Sequence, residues 1–178
     1  MANHARAVTK KKLDPTEVQC NLIKILKEKL HDLFQFEYNP EEKLWYVFYK
    51  KDNQIGFQFW ISDEIDYEEE DGKLVSKDSV LEFRHGHGWQ FMWWVEGVVR
   101  ENLGKIYDAQ MFDEGCEIEP KPVPEHYETF EIFCSTKPDC TPKEKKYVKQ
   151  SKRMWLPDYQ LKEIPKEIKE TFNLDFKV

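Results

Sequence analysis

The sequence has no Cys-x-x-Cys pair. Its four cysteines, Cys20, Cys116, Cys134 and Cys140, show none of the spacings of a zinc ribbon or a thioredoxin-type motif. It has no Asn-x-Ser/Thr sequon and no run near the ~18–20 apolar residues of a membrane span. The opening MANHARAVTKKK lacks the apolar core of a secretory signal. The expectation is a cytoplasmic protein with reduced thiols and no membrane partner, in which Cys20 is a small buried hydrophobe. No internal repeat and no low-complexity linker interrupts the chain.

What is present is an aromatic-rich, acidic chain. Of 178 residues, 40% are hydrophobic and 15% aromatic, which excludes disorder throughout. The net charge is −7, unevenly spread. Residues 1–12 carry four basic side chains and no acid, and residues 142–178 carry ten basic against six acidic ones. The stretch between them therefore holds a net −15. An acidic body repels phosphate, so no nucleic acid is expected on the main domain. It suits solubility or a cationic protein partner. Seven acids fall within residues 63–71, but an EF-hand starting at Asp66 fails: its sixth position is Asp71 and its twelfth is Lys77. A solvated acidic loop is the simpler reading.

Hydrophobic periodicity predicts the elements. Residues 1–12 read as a disordered basic tail and residues 13–178 as a single α+β domain. Asp14 as N-cap, Pro15 at the first helical position and Glu17 at capping-box spacing open a helix. Val18, Leu22, Ile25, Leu26, Leu30 and Leu33 carry it to about residue 33. After the link FQFEYNPEE, residues 44–62 read as a hairpin turning at Asp52-Asn53. That register sets Trp45 beside Trp60 and Tyr49 opposite Gly56. Residues 79–85 form a strand with Leu81 and Phe83 on one face. From Trp89 to Leu103 an apolar face of Phe91, Met92, Trp94, Val95, Val98, Val99 and Leu103 opposes a polar one of Gln90, Glu96, Arg100 and Glu101, with Trp93 on the polar side. Gly104 is expected to end this helix. A strand follows within 105–112, residues 125–135 fit helix or strand, and a last helix begins at Pro165. The fold class is α+β: an antiparallel sheet of four to five strands with helices packed mainly on one face.

The sharpest chemical pattern is Arg84-His85-Gly86-His87-Gly88, where a strand gives way to a helix. Residues two apart share a strand face, so His85 and His87 can converge on a divalent metal, with Asp113, Glu114, Cys116 or His126 as a third ligand. The glycines would let backbone approach a ligand, and a glycine-rich turn before a helix can also cradle an anion beside Arg84. The simpler reading is a pair of histidines at the rim of a core. A second pattern is aromatic: Trp45, Trp60 and Trp93, with Arg84, are the residue types that dominate protein-binding hot spots.

These features point first to a protein-binding module, an acidic inhibitor or neutralising partner with no cofactor. The alternative is a small metal-dependent or anion-handling enzyme centred on His85 and His87.

Overall fold

The computed structural model describes residues 4–62, 79–84, 88–112 and 158–174. Strand β1 (His4–Val8) is followed by helix α1 (Pro15–Glu28), strands β2 (Phe34–Asn39), β3 (Leu44–Tyr49), β4 (Asp52–Ser62) and β5 (Val80–Arg84), helix α2 (Gln90–Ile106) and strand β6 (Gln110–Phe112). Two short helices, α3 (Asp158–Glu163) and α4 (Lys166–Thr171), come last. The strands form one antiparallel sheet in the order β2-β3-β4-β5-β1-β6, with helices packed against it. The α+β class expected from the sequence is therefore what is found, with six strands among the described residues where four to five were expected.

The two additional strands come from stretches that the sequence disguises. Residues 4–8 belong to the segment expected as a disordered tail, yet they lie between β5 and β6. Their inward residues are Ala5 and Ala7, opposite Phe83 and Leu81. Alanine carries no strand propensity, but its small side chain leaves room for α2, which packs over β1, β4 and β6. The stretch read as a link, FQFEYN, is strand β2, paired with all of β3.

Asp14 caps α1 as expected, its Oδ1 accepting from the Thr16 amide at 3.1 Å. The helix stops at Glu28, earlier than its periodicity predicts. His31 (φ 53°) and Asp32 (φ 58°) are left-handed and turn the chain into β2. The other long helix overruns its predicted stop at Gly104 and ends before Asp108 (φ 50°), where the Ala109 amide donates back to the Gly104 carbonyl at 2.8 Å. Helix α4 closes likewise on Asn173 (φ 52°), with the Leu174 amide donating to the Lys169 carbonyl at 2.8 Å. Left-handed closure normally advertises itself as glycine; here histidine, aspartate and asparagine do the work.

One row of rings crosses the sheet on the helix side. Tyr38, Trp45, Phe59 and Phe83 stack in sequence at 4.6, 5.0 and 5.0 Å between centroids. They lie in one cross-strand column, because Tyr38 pairs with Trp45, Trp45 with Phe59 and Phe59 with Phe83. Each such stacked pair contributes about 0.5–1.5 kcal/mol beyond its buried area. Val47, Phe57, Ile61 and Leu81 complete this face, and Val18, Leu22, Val95, Val99 and Leu103 of α1 and α2 close over it.

This register corrects the predicted hairpin by one residue. Tyr49 pairs with Asp52, so the turn is at Lys50-Lys51, and a bulge lies between Phe48 and Tyr49. Trp45 and Trp60 therefore occupy opposite faces and are not cross-strand neighbours. The bulge has a cause at Gly56, which sits opposite Phe48 instead of Tyr49. A Cβ there would lie 2.4 Å from the Val47 carbonyl oxygen and 2.9 Å from the Phe48 Cβ. Only glycine admits so close a backbone approach.

Gly56→Ala should accordingly destabilise the protein by roughly 1–3 kcal/mol, since backbone must move. Gly88→Ala is the control: a Cβ there would meet nothing within 4 Å. Its urea midpoint should match the parent protein, and equal losses in the two variants would contradict the packing described.

Candidate functional site

Strand alternation decides which side chains leave the core. On the face opposite the helices, Tyr46, Gln58 and Arg84 form one cross-strand row. Leu44, Trp60, Glu82 and Arg6 form the next. Arg84 is exposed, while Leu44, Tyr46, Gln58 and Trp60 are half-buried. Glu82 is buried and lies 3.9 Å from Arg6. The structure thus brings together two residues that the sequence singled out, Arg84 and Trp60, and adds Tyr46 to them.

Tyr46 is held in place from two sides. Its ring stacks on Phe48 at 5.3 Å, and its hydroxyl donates to the Asn53 carbonyl. Burial first, then the carboxylates of Asp52 and Glu37, push its phenol above the usual tyrosine range. It therefore stays a neutral, amphipathic ring at neutral pH. The patch as a whole offers an indole, a phenol, an amide and a guanidinium on one face of the sheet.

Other residues expected at a site are placed differently. Trp45 is fully buried inside the ring stack, so it is a core residue with no surface for a partner. Its indole N–H has no hydrogen-bond partner. That omission costs on the order of 1–3 kcal/mol, which the two stacking contacts and the buried ring area outweigh. Trp93 is half-buried and packs against the core from α2. Cys20, expected to be buried, is exposed on α1. His85, His87, Asp113, Glu114, Cys116 and His126 lie outside the described residues. Among the described residues, no group of three His, Cys, Asp or Glu side chains could hold a metal ion.

The first amide of α2, next to the turn that the sequence offers as one possible anion cradle, and the Trp89 indole both find acceptors on α3. The Gln90 amide donates to Gln160 Oε1 at 3.2 Å, and Trp89 Nε1–H donates to Glu163 Oε2 at 2.9 Å. An anion at the Gln90 amide would have to displace the Gln160 acceptor. Nor does the fold itself require glycine at position 88, where a side chain would have open space.

A charged cluster that periodicity missed lies further along α2. Glu96 and Glu101 fall on the polar face of the helix as expected, yet they are 0% and 4% exposed. Arg100 Nε stands 3.1 Å from Glu96 Oε1, one helical turn away. The 3.6-residue period correctly identifies the apolar stripe of a helix, but it carries no information on what covers the other stripe.

The C-terminal helices are anchored by a second polar contact. The Tyr49 hydroxyl donates to Glu167 Oε2, and Lys51 Nζ lies 2.9 Å from the same oxygen. Phe172 packs nearby against Phe91, Trp94 and His31, at 5.1, 5.6 and 5.2 Å. No family model, curated protein or solved structure matches the chain. Among the described residues no helix is long and apolar enough to cross a membrane.

The Tyr49–Glu167 contact sets a pH dependence. Burial, then the bond and charge of Glu167, push the Tyr49 phenol from 10.0 up to about 12. A group whose folded value is raised contributes stability that is complete below its unfolded value and disappears as pH climbs through the folded one. The stability advantage of the parent protein over Tyr49→Phe should be constant from neutral pH to about 10 and shrink between about 10 and 12. Glu167 is shifted the other way, lowered first by the Tyr49 bond and then by Lys51. The same advantage should therefore also fall in acid, as pH drops from the ordinary carboxylate value, 4.5, through the lowered one. Denaturant melts across pH check both limbs, and a flat difference would contradict the contact.

Proposed function

We propose that this protein is a protein-binding module whose contact surface is the outer sheet face around Tyr46, Gln58, Trp60 and Arg84, and that its partner is basic. The observation that carries this reading is the co-location of Trp60, Tyr46 and Arg84 on the face away from the helices. Hot spots are enriched in tryptophan, tyrosine and arginine, with side chains held rigidly so that little entropy is lost on contact. The partner's charge is argued from the sequence: seven acids fall within residues 63–71, the stretch that follows β4 in the chain. Steering by such a field raises association rates and weakens with salt.

The test uses a panel of lysine- and arginine-rich peptides, read by nuclear magnetic resonance at the Trp60 indole N–H. At least one should shift that signal saturably. Trp60→Ala, followed at Arg84 and Tyr46, should weaken its binding by about 30-fold, the loss of a single ~2 kcal/mol anchor. The melting temperature of Trp60→Ala should stay close to that of the parent, because the ring stands outside the core. Failure of every peptide to move the signal, or binding indifferent to Trp60→Ala and Arg84→Ala alike, would refute this surface.

A further inference from the structure

We propose that the edge of β2 is a second, independent docking site, which takes up an extended segment of a partner protein as an added strand. The segment alternates aromatic and basic residues. The proposal does not depend on the Trp60 face.

Strand β2 ends the sheet, paired only with β3 among the described strands. Its hydrogen-bond phase can be read from both sides of β3. The Lys50 amide donates to the Leu33 carbonyl at 3.0 Å, which makes Leu33 and Lys50 a hydrogen-bonded pair. By antiparallel alternation, Gln35, Glu37 and Asn39 then turn their backbone groups toward β3, and Phe36 and Tyr38 turn theirs away. On the other side of β3, the Ile61 amide donates to the Lys43 carbonyl at 3.1 Å, so Lys43, Trp45 and Val47 bond to β4. That leaves residues 44, 46 and 48 for β2, the phase just assigned. The N–H and C=O groups of Phe36 and Tyr38 therefore face the sheet's open side, where an incoming strand could pair with them.

The side chains at this edge specify the segment. Tyr38 is the last ring of the stack that runs from Phe83 through Phe59 and Trp45, and it is half-buried where the stack meets the edge. Phe36 is half-buried beside it on the same face. An aromatic side chain on the added strand continues the stack by one ring. The other face of the edge carries Gln35, Glu37 and Asn39, all exposed. Residues 34–42 hold three acids, Glu37, Glu41 and Glu42, and no base. Basic side chains on alternate positions of the segment would meet this row. The same charge argues against a second copy of this chain as the occupant, since pairing two β2 edges sets like charges against each other.

The test compares two peptides of identical composition, one alternating tyrosine and lysine, the other with the same residues in separate blocks. Binding to isotope-labelled full-length protein is followed by amide shifts and amide exchange. The alternating peptide should bind, slow exchange at Phe36 and Tyr38, and lose affinity as salt is raised. Glu37→Lys, an exposed substitution that leaves the core alone, should weaken it about tenfold by like-charge repulsion. Equal affinity for the block peptide, or no binding by either, would overturn the proposal. So would protection of Phe36 and Tyr38 in the protein alone with rising concentration, which would mean self-pairing. Shifts confined to the Trp60 indole would refute the edge site while supporting the outer face. Effects at Phe36 and Tyr38 that persist undiminished in Trp60→Ala would support the edge site independently of the outer face.

Discussion

The stack of Tyr38, Trp45, Phe59 and Phe83 is the constraint on which the rest of the molecule depends. It spans four of the six strands in one column, so it ties their registers together. A one-residue slip of β4 against β3 would send Phe59 to the outer face and leave Trp45 facing Trp60, with the core short of a ring. Gly56 enforces the same register from the other side, because only a residue without Cβ can sit against the Val47 carbonyl. Stack and glycine together account for the bulge between Phe48 and Tyr49: the strands keep the ring column, and the turn absorbs the mismatch.

The helices inherit their positions from that face. Helices α1 and α2 close over the ring column, and the small inward residues of β1 let α2 approach the far half of the sheet. The C-terminal helices then dock by a mixture of packing and polar contacts. Ile164, Ile168 and Leu174 join the core, while Gln160, Glu163 and Glu167 accept hydrogen bonds from the start of α2 and from Tyr49. These contacts give the first amide of α2 an acceptor from the protein itself.

Two surfaces follow from one sheet. Its outer face gathers Tyr46, Trp60 and Arg84 by simple strand alternation, and its edge strand exposes the end of the aromatic stack beside an acidic row. As proposed contact surfaces, both would suit a basic partner, in keeping with the net charge of −7. They differ in physics: the face offers side-chain anchors, whereas the edge offers backbone hydrogen bonds with side chains setting specificity.

The sequence alone determined the elements whose signals are local. The cap at Asp14, the inward alternation of Leu81 and Phe83, the apolar stripe of α2 and the start of the last helix at Pro165 all follow from periodicity and capping chemistry. So did the α+β class. Only the tertiary structure decided what depends on partners distant in the chain. Residues 4–8 are a strand because β5 and β6 flank them, not because alanine and arginine favour one. Asp52-Asn53 has the better turn chemistry, but the ring column and Gly56 move the turn to Lys50-Lys51. Glu96 and Glu101 look solvated on a helical wheel and are buried by cover that a wheel cannot show. Trp45 and Trp60 are the same residue type in the same hairpin. A single residue of register made one of them core and the other surface, because side-chain direction in a strand reverses at every step.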